Sequence, residues 1–408
     1  MSDKFKKICV MGLGYIGLPT ASLLGTKGYN VQGVDISQNV VDTINDGRIH
    51  IVEPDLDIMV KSAVQGGKLK ASLEPCEADI FIIAVPTPFK EDSLEPNRKQ
   101  PDLSYVAEAT KKISPYVKPG NLVILESTSP VGTTDEVVTK ILKEEGHNVG
   151  DEVFVAHCPE RVLPGRILIE LVENDRVVGG VNEASTQAAV DFYEEFVRGE
   201  VLATTAKTAE MVKLTENSSR DVQIAFANEL SMICGSEGIN TWEVIELANR
   251  HPRVNILKPG PGVGGHCIAV DPWFIVDRTP EYSNLIRTAR EVNDSKPDWV
   301  IERVKKCADK FKSPVIACLG LAFKADVDDL RESPASDIVK KLQEEKVGNL
   351  LVCEPNLNSH KDFDLVSVEE AVSQADILLL LVDHKKFKGL KAAELGEKVV
   401  IDTRGIIK

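Results

Sequence analysis

The motif GLGYIG at residues 12–17 constrains the fold more than any other part of the sequence. It directly follows the apolar run KKICVM, and the acid Asp35 lies at the end of the next apolar run, VQGVDI (31–36). A glycine-rich turn between a strand and a helix, with an acid about 20 residues further on, is typical of a dinucleotide-binding βαβ unit. We therefore predict a dinucleotide cofactor at this turn.

The three glycines of this motif have different predicted roles. Gly12 makes the tight turn, Gly14 lets a pyrophosphate approach the helix N-terminus, and Gly17 lets helix and strand pack closely. The carboxylate of Asp35 would accept hydrogen bonds from ribose hydroxyls and repel a 2′-phosphate, which favours NAD over NADP. A glycine-rich turn with a purely structural role is the alternative.

Two further segments, VPTPF (85–89) and ESTSPVG (126–132), each follow a predicted strand. The carboxyl ends of parallel strands are where a doubly wound fold binds its ligand. We therefore expect Thr87 and Thr128 to contact the cofactor. The alternative is an ordinary turn-forming role for the two hydroxyls.

The order of predicted elements indicates the fold class. Short runs rich in β-branched residues alternate with helical patterns over roughly the first 120 residues, and the alternation resumes near residue 312. The segment between, from about residue 204 to 250, lacks strand-like runs and keeps a helical period. We predict an α/β protein with two Rossmann-like doubly wound domains joined by a central helical region. The predicted boundaries are 1–200, 201–305 and 306–408.

An apolar stripe runs along the predicted central helix. Its members are Met211, Leu214, Val222, Ala225, Phe226, Leu230 and Ile233. A stripe of this kind either packs into the core of its own chain or supplies a dimer interface, and the pattern alone leaves both open.

Composition and spacing exclude several classes of function. A formal net charge of −15 argues against general nucleic-acid binding, which needs a basic face. No apolar run approaches the roughly 18 residues of a membrane span, and no signal-peptide pattern is present, so we expect a cytoplasmic protein without membrane contact. The eight cysteines have no CxxC spacing and the seven histidines no paired spacing, so no metal site is predicted.

The sequence KLTEN places Lys213 and Asn217 four residues apart on one helical face, with Arg220 nearly one turn further along. Such a face is either solvated surface, or it directs a lysine and an amide into a cleft to stabilise an oxyanion or guide a proton. Basic residues also gather in ANRHPRVNILK (248–258) and GLAFKADVDDLRES (320–333). In an acidic chain these clusters indicate an anionic ligand such as a diphosphate, with solvated charge as the alternative.

The segment PGPGVGGHCIAVDPW (259–273) places Cys267 in a glycine-rich loop, four residues before Asp271. A thiol near cationic side chains can act as a nucleophile. In an NAD enzyme such a thiol permits a double oxidation: an alcohol becomes an aldehyde, the thiolate traps it, a second hydride transfer leaves a thioester, and water releases an acid. A single-step dehydrogenase with an incidental cysteine remains the alternative.

At the level of motifs, the chain resembles the family of UDP-sugar 6-dehydrogenases over nearly its full length. The segments that match, in the order and spacing of the family, are GLGYIGLP (12–19), VPTP (85–88), ESTSPVGTT (126–134), CPERVLPG (158–165), KLTENSSRDVQIAFANEL (213–230), the Cys267 loop and GLAFKADVDDLRESP (320–334). The resemblance implies an N-terminal NAD-binding domain, a central helical region that dimerises and a C-terminal UDP-binding domain. It also implies the double oxidation.

The resemblance further implies roles for individual residues. Cys267 would be the nucleophile, Lys213 would stabilise oxyanions with Asn217 beside it, Asp271 would position water and move protons, and Glu160 would lie near the hydrolytic water. The implied cofactor contacts are Gly12, Gly14, Tyr15, Ile16, Gly17, Asp35, Thr87, Thr128 and Arg331. The positions that match the nucleotide-sugar site are Arg161, Val162, Lys213, Asn217, Arg220, His251, Arg253, Gly264, Phe323 and Lys324. In this family the arginine matching Arg253 can come from the partner subunit of a homodimer.

Two departures from the UDP-glucose branch bear on the substrate. That branch has a lysine between the catalytic cysteine and aspartate, where this chain has IAV, and a glutamate where this chain has Pro164. HIVEPDLD (50–57) and NRHPRVNILKPGPGVGGHC (249–267) instead match the branch that acts on 2-acetamido sugars. We expect UDP-N-acetyl-D-mannosamine, oxidised to UDP-N-acetyl-D-mannosaminuronate with two NADH per sugar. UDP-N-acetyl-D-glucosamine is the alternative, because composition and spacing do not report the configuration at C2.

Overall fold

The computed structural model describes residues 6–90, 99–163, 165–265 and 267–407. It divides into two compact units, Met1–Glu216 and Asn217–Lys408, called unit 1 and unit 2 below. Within the described ranges, no helix is both long enough and apolar enough to span a bilayer.

Unit 1 is built on one eight-stranded sheet. Its strands are β1 (Lys7–Met11), β2 (Asn30–Val34), β3 (Leu69–Ser72), β4 (Ile80–Ile83), β5 (Leu122–Leu125), β6 (Phe154–His157), β7 (Arg176–Gly180) and β8 (Val201–Thr205). Their spatial order is β3-β2-β1-β4-β5-β6-β7-β8, and every pair is parallel except β6 with β7. The first six strands follow the Rossmann order, whose topological switch point lies between β1 and β4.

Helices connect these strands. They are α1 (Gly17–Thr26), α2 (Gln38–Asn45), α3 (Leu56–Gln65), α4 (Ser104–Ile113), α5 (Lys140–Glu144), α6 (Ile167–Glu173), α7 (Glu183–Glu194) and α8 (Ala206–Glu237). A 3₁₀ turn covers Ser114–Tyr116, and a π-helical segment, Thr134–Thr139, leads into α5.

Unit 2 begins with helices and ends with a smaller sheet. After the remainder of α8 come α9 (Thr241–Ala248), α10 (Asp271–Arg278), α11 (Asn284–Ala308), β9 (Val315–Leu319), α12 (Pro334–Glu344), β10 (Asn349–Cys353), α13 (Val368–Gln374), β11 (Ile377–Leu380) and β12 (Val399–Asp402). Short 3₁₀ turns cover Lys385–Phe387 and Ala392–Glu394. The four strands are all parallel, in the order β10-β9-β11-β12.

The central strands are apolar throughout because both of their faces are buried. In β1, Ile8 and Val10 pack into one core cluster, while Cys9 and Met11 pack into another. The same alternation occurs in β9, where Ile316 faces one core and Ala317 the other. Successive strand side chains point to opposite faces, so a strand covered on both sides cannot keep the apolar–polar alternation of a half-exposed strand.

The predicted fold class is confirmed, since two parallel sheets flank a helical region in the sequence. Three strands were not predicted: β3 (LKAS), β7 (RVVGG) and β8 (VLATT) lack a continuous apolar run. The sheet supplies the neighbours that hold these segments extended, and local propensity alone does not. On α8, Leu214 and Ala225 are buried while Phe226 and Ile233 are more than half exposed, so the predicted apolar stripe is only partly covered.

The turn after β1 needs glycine, for steric reasons, at two of the three glycine positions of GLGYIG. Gly12 has φ +90°, and a Cβ there would lie 2.6 Å from the carbonyl oxygen of Ala84. A Cβ at Gly17 would lie 1.8 Å from the carbonyl oxygen of Gly12. By contrast, a Cβ at Gly14 would meet no atom within 4 Å, so the space beside Gly14 is open.

We expect Gly17→Ala to destabilise the protein by about 3 kcal/mol or more, because the start of α1 must move away from the Gly12 carbonyl to admit the methyl group. Gly14→Ala is the matched control and should leave the free energy of unfolding within about 1 kcal/mol of wild type. Urea denaturation followed by circular dichroism measures both. Equal destabilisation by the two substitutions would contradict this account of the turn.

Candidate active site

The carboxyl edge of the unit 1 sheet carries the groups predicted to hold the cofactor. Asp35 follows β2; its Oδ2 accepts a hydrogen bond from the Leu13 N–H (3.1 Å) and its Oδ1 one from the Ser37 N–H (2.9 Å). Each carboxylate oxygen keeps a second lone pair, so Asp35 can still accept from a ribose hydroxyl. Tyr15 is half-buried against the core, and Ile16 directly precedes α1.

These groups fit NAD on the evidence of the structure. The open space at Gly14 adjoins the N-terminus of α1, where backbone N–H groups and the helix dipole favour a pyrophosphate. Asp35 stands at the end of the neighbouring strand, in the position that reads a ribose.

Thr87 and Thr128 join the ends of two adjacent strands. The Thr87 hydroxyl donates to the carbonyl oxygen of Thr128 at 2.6 Å. Ser127 donates in the same region to the carbonyl oxygen of Val85 (2.7 Å). These bonds fix the loops after β4 and β5 against each other, beside the switch point of the sheet.

Glu160 is held by two donors. Its Oε2 accepts from Arg176 Nη1 at 2.8 Å, and its Oε1 accepts from the N–H of Arg161 at 2.7 Å. Both charged side chains are almost fully buried. Buried ion pairs of this kind fix orientation, and removing one partner leaves an uncompensated charge.

A second buried acid, Glu126, lies in the same cluster. Its Oε1 accepts from the Tyr193 hydroxyl at 2.7 Å, whereas its Oε2 is buried without a hydrogen-bond partner. Burial raises the pKa of Glu126 to about 7, although the Arg176 guanidinium opposes the shift. Glu126 was not predicted as a functional residue, although it is the first residue of ESTSPVG and directly follows the apolar strand β5.

Arg161 and Val162 follow Glu160. The Arg161 guanidinium forms a two-pronged contact with Glu216, through Nε (3.1 Å) and Nη2 (2.6 Å), and its Nη1 donates to the Asp175 carbonyl. Arg161 is therefore already paired with an acid of its own unit. Val162 packs against the core of unit 1.

Glu210, on α8, is a further buried acid that the sequence analysis missed. It accepts from the N–H groups of Gly132 (2.5 Å) and Thr134 (2.8 Å) and from the Thr134 hydroxyl (2.7 Å). This carboxylate therefore ties α8 to the loop that follows β5. Lys213, one turn later on α8, is buried, with 8% of its surface exposed.

In unit 2, Cys267 lies in a turn that leads directly into α10. The Cys267 carbonyl accepts from the N–H of Val270 (3.1 Å) and of Asp271 (2.8 Å), the first residue of the helix. Asn217 Nδ2 donates to Asp271 Oδ2 at 2.5 Å, and Arg290 Nη1 reaches the Ile268 carbonyl at 3.5 Å. The structure thus brings together three of the predicted residues: Asn217, Cys267 and Asp271.

The exposure of Cys267 distinguishes it from most other cysteines of the chain. Cys267 is exposed, whereas five others are buried: Cys9, Cys158, Cys234, Cys318 and Cys353. A nucleophile must reach solvent and substrate, while a buried apolar thiol is inert. Its accessibility agrees with a chemical role.

A cleft in unit 2 brings the glycine loop to the carboxyl edge of the second sheet. It is lined by Pro261, Gly262, Ala322, Phe323, Lys324 and Arg404, among others. A Cβ on Gly264 would lie 2.3 Å from the Glu332 carbonyl oxygen and 3.2 Å from Phe323 Cβ. The glycines therefore let this loop pack directly against the segment that follows β9.

Arg404 lines this cleft and was missed by the sequence analysis. It follows β12 and pairs with Asp383, which follows β11, through Nε (2.9 Å) and Nη2 (2.8 Å). The segment DTRG could have indicated Arg404, because a residue that follows a parallel strand lies at the edge where ligands bind.

Arg331, which the resemblance assigned to the cofactor, forms a two-pronged contact with Asp329 in unit 2.

Glu354 occupies, after β10, the position that Asp35 has after β2. Its Oε2 accepts from the N–H groups of Leu321 (2.7 Å) and Ala322 (3.1 Å) and lies 3.0 Å from His384 Nε2. Its Oε1 accepts from Asn356. Unlike Asp35, this acid is engaged on both oxygens by residues that follow β9, β10 and β11.

Three predicted basic residues are exposed in unit 2: Arg220 on α8, and His251 and Arg253 after α9. The N–H of Arg253 donates to His251 Nδ1 at 3.3 Å. Pro164, which the sequence analysis used to separate sugar branches, lies outside the described residues. In the part of the chain that is described, no group of three or more His, Cys, Asp or Glu side chains is arranged to hold a metal ion.

Comparison with known proteins defines the class. The chain belongs to the UDP-glucose/GDP-mannose dehydrogenase family: residues 6–197 match its NAD binding domain, 207–295 its central domain and 317–408 its UDP binding domain. It is an oxidoreductase, and its cofactor is NAD.

Individual relatives cover almost the whole chain. An NDP-N-acetyl-D-galactosaminuronic acid dehydrogenase of Ralstonia solanacearum is 58% identical over 98% of this chain and 96% of its own length. A UDP-N-acetyl-D-mannosamine dehydrogenase of Campylobacter jejuni is 55% identical over 94% and 97%. Among solved structures, the UDP-N-acetyl-mannosamine dehydrogenase of Staphylococcus aureus has a TM-score of 0.89 at 44% identity, covering 99% of this chain and 96% of the other.

We expect the buried acid Glu126 to make stability fall as pH rises. Its pKa is raised by burial to about 7 in the folded state, so the folded protein holds a proton that the unfolded chain has released. The contribution of Glu126 to the free energy of unfolding is therefore fully present below about pH 4, and it is lost as pH rises towards about 7. Glu126→Gln carries no titrating group, so relative to wild type it should gain roughly 3 kcal/mol between pH 4 and pH 8.

Urea denaturation of both proteins at several pH values measures this difference. Glu152→Gln, at an exposed acid of the same unit, is the control and should show no comparable gain. A difference between Glu126→Gln and wild type that does not vary with pH would contradict the assignment.

Proposed function

We propose that this enzyme oxidises UDP-N-acetyl-D-mannosamine to UDP-N-acetyl-D-mannosaminuronate in a four-electron reaction. The observation that carries the proposal is the exposed Cys267, which lies in the turn before α10. The first residue of that helix, Asp271, accepts a hydrogen bond from Asn217. The names of the Campylobacter jejuni and Staphylococcus aureus relatives support the sugar. Lys324 and Arg404, which line the cleft after β9 and β12 together with Asp383, support a diphosphate ligand.

The proposed chemistry has two oxidations and one hydrolysis. NAD, held at the turn after β1, would supply the hydride acceptor for each oxidation. The sugar C6 alcohol first becomes an aldehyde, to which the Cys267 thiolate adds to form a thiohemiacetal. Oxidation of that adduct gives a thioester, and water cleaves the C–S bond to release the acid and return the thiol. One alcohol therefore loses four electrons and yields two NADH.

The remaining roles follow from the side-chain chemistry. Lys213, buried and cationic, stabilises the oxyanions that form at C6, with Asn217 beside it. Asp271, held by Asn217, positions water and moves protons. Glu160, fixed by Arg176 and the Arg161 N–H, accepts a proton from the hydrolytic water.

We propose the same binding residues that the family resemblance implies. The cofactor contacts are Gly12, Gly14, Tyr15, Ile16, Gly17, Asp35, Thr87, Thr128 and Arg331, and the nucleotide-sugar contacts are Arg161, Val162, Lys213, Asn217, Arg220, His251, Arg253, Gly264, Phe323 and Lys324. Arg404 is added to the second set because it lines the same cleft as Phe323 and Lys324. The division into 1–200, 201–305 and 306–408 also stays a proposal, as does a cytoplasmic location.

A second candidate sugar has specific support. The Ralstonia solanacearum relative, at 58% identity, is named for N-acetyl-D-galactosaminuronic acid, so UDP-N-acetyl-D-galactosamine belongs beside UDP-N-acetyl-D-glucosamine as an alternative. All three sugars share the 2-acetamido group and the C6 alcohol, and they differ only in configuration. The proposed chemistry is the same for each.

Incubation with NAD and each of the three UDP-sugars tests the function. We expect two NADH per sugar consumed and the highest kcat/KM with UDP-N-acetyl-D-mannosamine. One NADH with free aldehyde would contradict the double oxidation, and a higher kcat/KM for another sugar would replace the proposed substrate. NAD binding without turnover on any UDP-sugar would favour a non-catalytic role.

In the same assay, Cys267→Ser should bind NAD but make no acid. Cys307→Ser, at a half-buried thiol of the same unit, should keep its activity.

We propose that the chain forms at least a homodimer through α8. Phe226 and Ile233 are 56% and 53% exposed, and with the half-buried Leu230 they form an apolar stripe at i, i+4 and i+7. Exposed Arg253 is available to a partner subunit. Sedimentation velocity should give a dimer or larger species for wild type, and Phe226→Asp with Ile233→Asp should give monomer. A monomeric wild-type protein would contradict the proposal.

A further inference from the structure

The cluster around Glu126 and Glu160 contains more buried acid than base. Glu126 follows β5 and Glu160 follows β6, which are adjacent parallel strands, so both carboxyls reach the same edge of the sheet. Arg176 opens β7, which runs antiparallel to β6 and therefore starts at that edge. These three side chains thus converge although they are far apart in the sequence.

The surroundings of Glu126 come from three elements. Besides Glu160 and Arg176, the titratable groups that face it are Cys158, which follows β6, and Tyr193 on α7. Arg176 lies 5.3 Å from the centre of the Tyr193 ring and 4.0 Å, through Nη1, from Cys158 Sγ. Tyr193 and Cys158 are neutral near pH 7, since burial raises the pKa of both.

Arg176 is thus the one cation facing two carboxyl groups in this buried cluster, within the described residues. Its Nη1 is bonded to Glu160, and its Nη2 donates to the Leu171 carbonyl. Glu126 has only a hydroxyl donor on one oxygen and none on the other. A buried carboxylate with so few donors is far less stable than the protonated acid.

We propose that Glu126 works as a protonated, neutral carboxylic acid and is a positioning residue. In this neutral form it leaves the Arg176 guanidinium bonded to Glu160. When Glu126 ionises, its carboxylate draws the guanidinium away and misaligns Glu160. The inference rests on the proposed function, because it assigns Glu126 to the step in which Glu160 handles the hydrolytic water. Protonation then links pH to the release of the acid. Hydrolysis of the thioester slows as Glu126 loses its proton.

Infrared spectroscopy tests the protonation and the coupling without substrate. The C=O stretch of a buried carboxylic acid, separate from that of carboxylates, should be present at pH 5, disappear with a midpoint near pH 7, and be absent in Glu126→Gln. Tyr193→Phe should move the midpoint to higher pH, because the tyrosine hydrogen bond lowers the pKa of Glu126. Glu160→Gln should move it to lower pH, because the Glu160 charge raises that pKa.

Kinetics tests the consequence for hydrolysis. At pH 8, wild type should show a burst of two NADH per site followed by slow steady turnover, since the thioester accumulates. In Glu126→Gln the amide copies the neutral acid, so the ratio of its kcat to that of wild type should rise about tenfold between pH 6 and pH 8. Tyr193→Phe should delay the fall in kcat to higher pH, which a merely structural defect would not do.

The outcomes separate this proposal from the function on which it rests. No acid band that Glu126→Gln removes, or a midpoint that Glu160→Gln leaves in place, overturns the proposal whatever the enzyme oxidises. A kcat ratio that stays flat from pH 6 to pH 8 overturns the positioning role. If no UDP-sugar is oxidised, the proposed function fails and the positioning role fails with it, while the infrared titration still reports whether Glu126 is protonated.

Discussion

Burial of the central strands of both sheets on both faces is the constraint on which the rest of the structure depends. A strand such as β4, with Ile80 and Phe81 facing different cores, has no position for a polar side chain. Around a fully buried strand of this kind, polar chemistry is therefore confined to the residues that follow the strand. Asp35, Glu126 and Glu160 in unit 1, and Asp383 and Arg404 in unit 2, all stand at such positions.

Much of the fold was predictable because strands that are buried on both faces consist of continuous apolar runs in the sequence. The run before GLGYIG and the acid Asp35 predicted the order of strand, turn and helix as the structure has it. β7 and β8 were missed because they lie towards the edge of the sheet, where their extended form depends on neighbours. The same is true of β3, whose short segment LKAS carries no strand signal of its own.

The candidate site was less predictable than the fold, and for a different reason. Cys267 and Asp271 stand four residues apart, so a local pattern could suggest them together. Glu126, Arg176 and Tyr193 are separated by tens of residues, and only the strand order brings them to one edge. Charge balance in a buried cluster is a property of that three-dimensional arrangement, and a one-dimensional pattern does not contain it.

The two sheets differ in what their strand-end acids leave available. Each oxygen of Asp35 accepts one hydrogen bond, whereas Glu354 accepts hydrogen bonds from Leu321, Ala322 and residues after β10 and β11. Asp35 can therefore accept hydrogen bonds from a small-molecule fragment that carries a vicinal diol, whereas Glu354 is already engaged on both oxygens. At the second sheet, Lys324, beside the Arg404–Asp383 pair, instead favours fragments that carry an acidic group. Inhibitor series aimed at the two sheets thus need opposite polar chemistry from the outset.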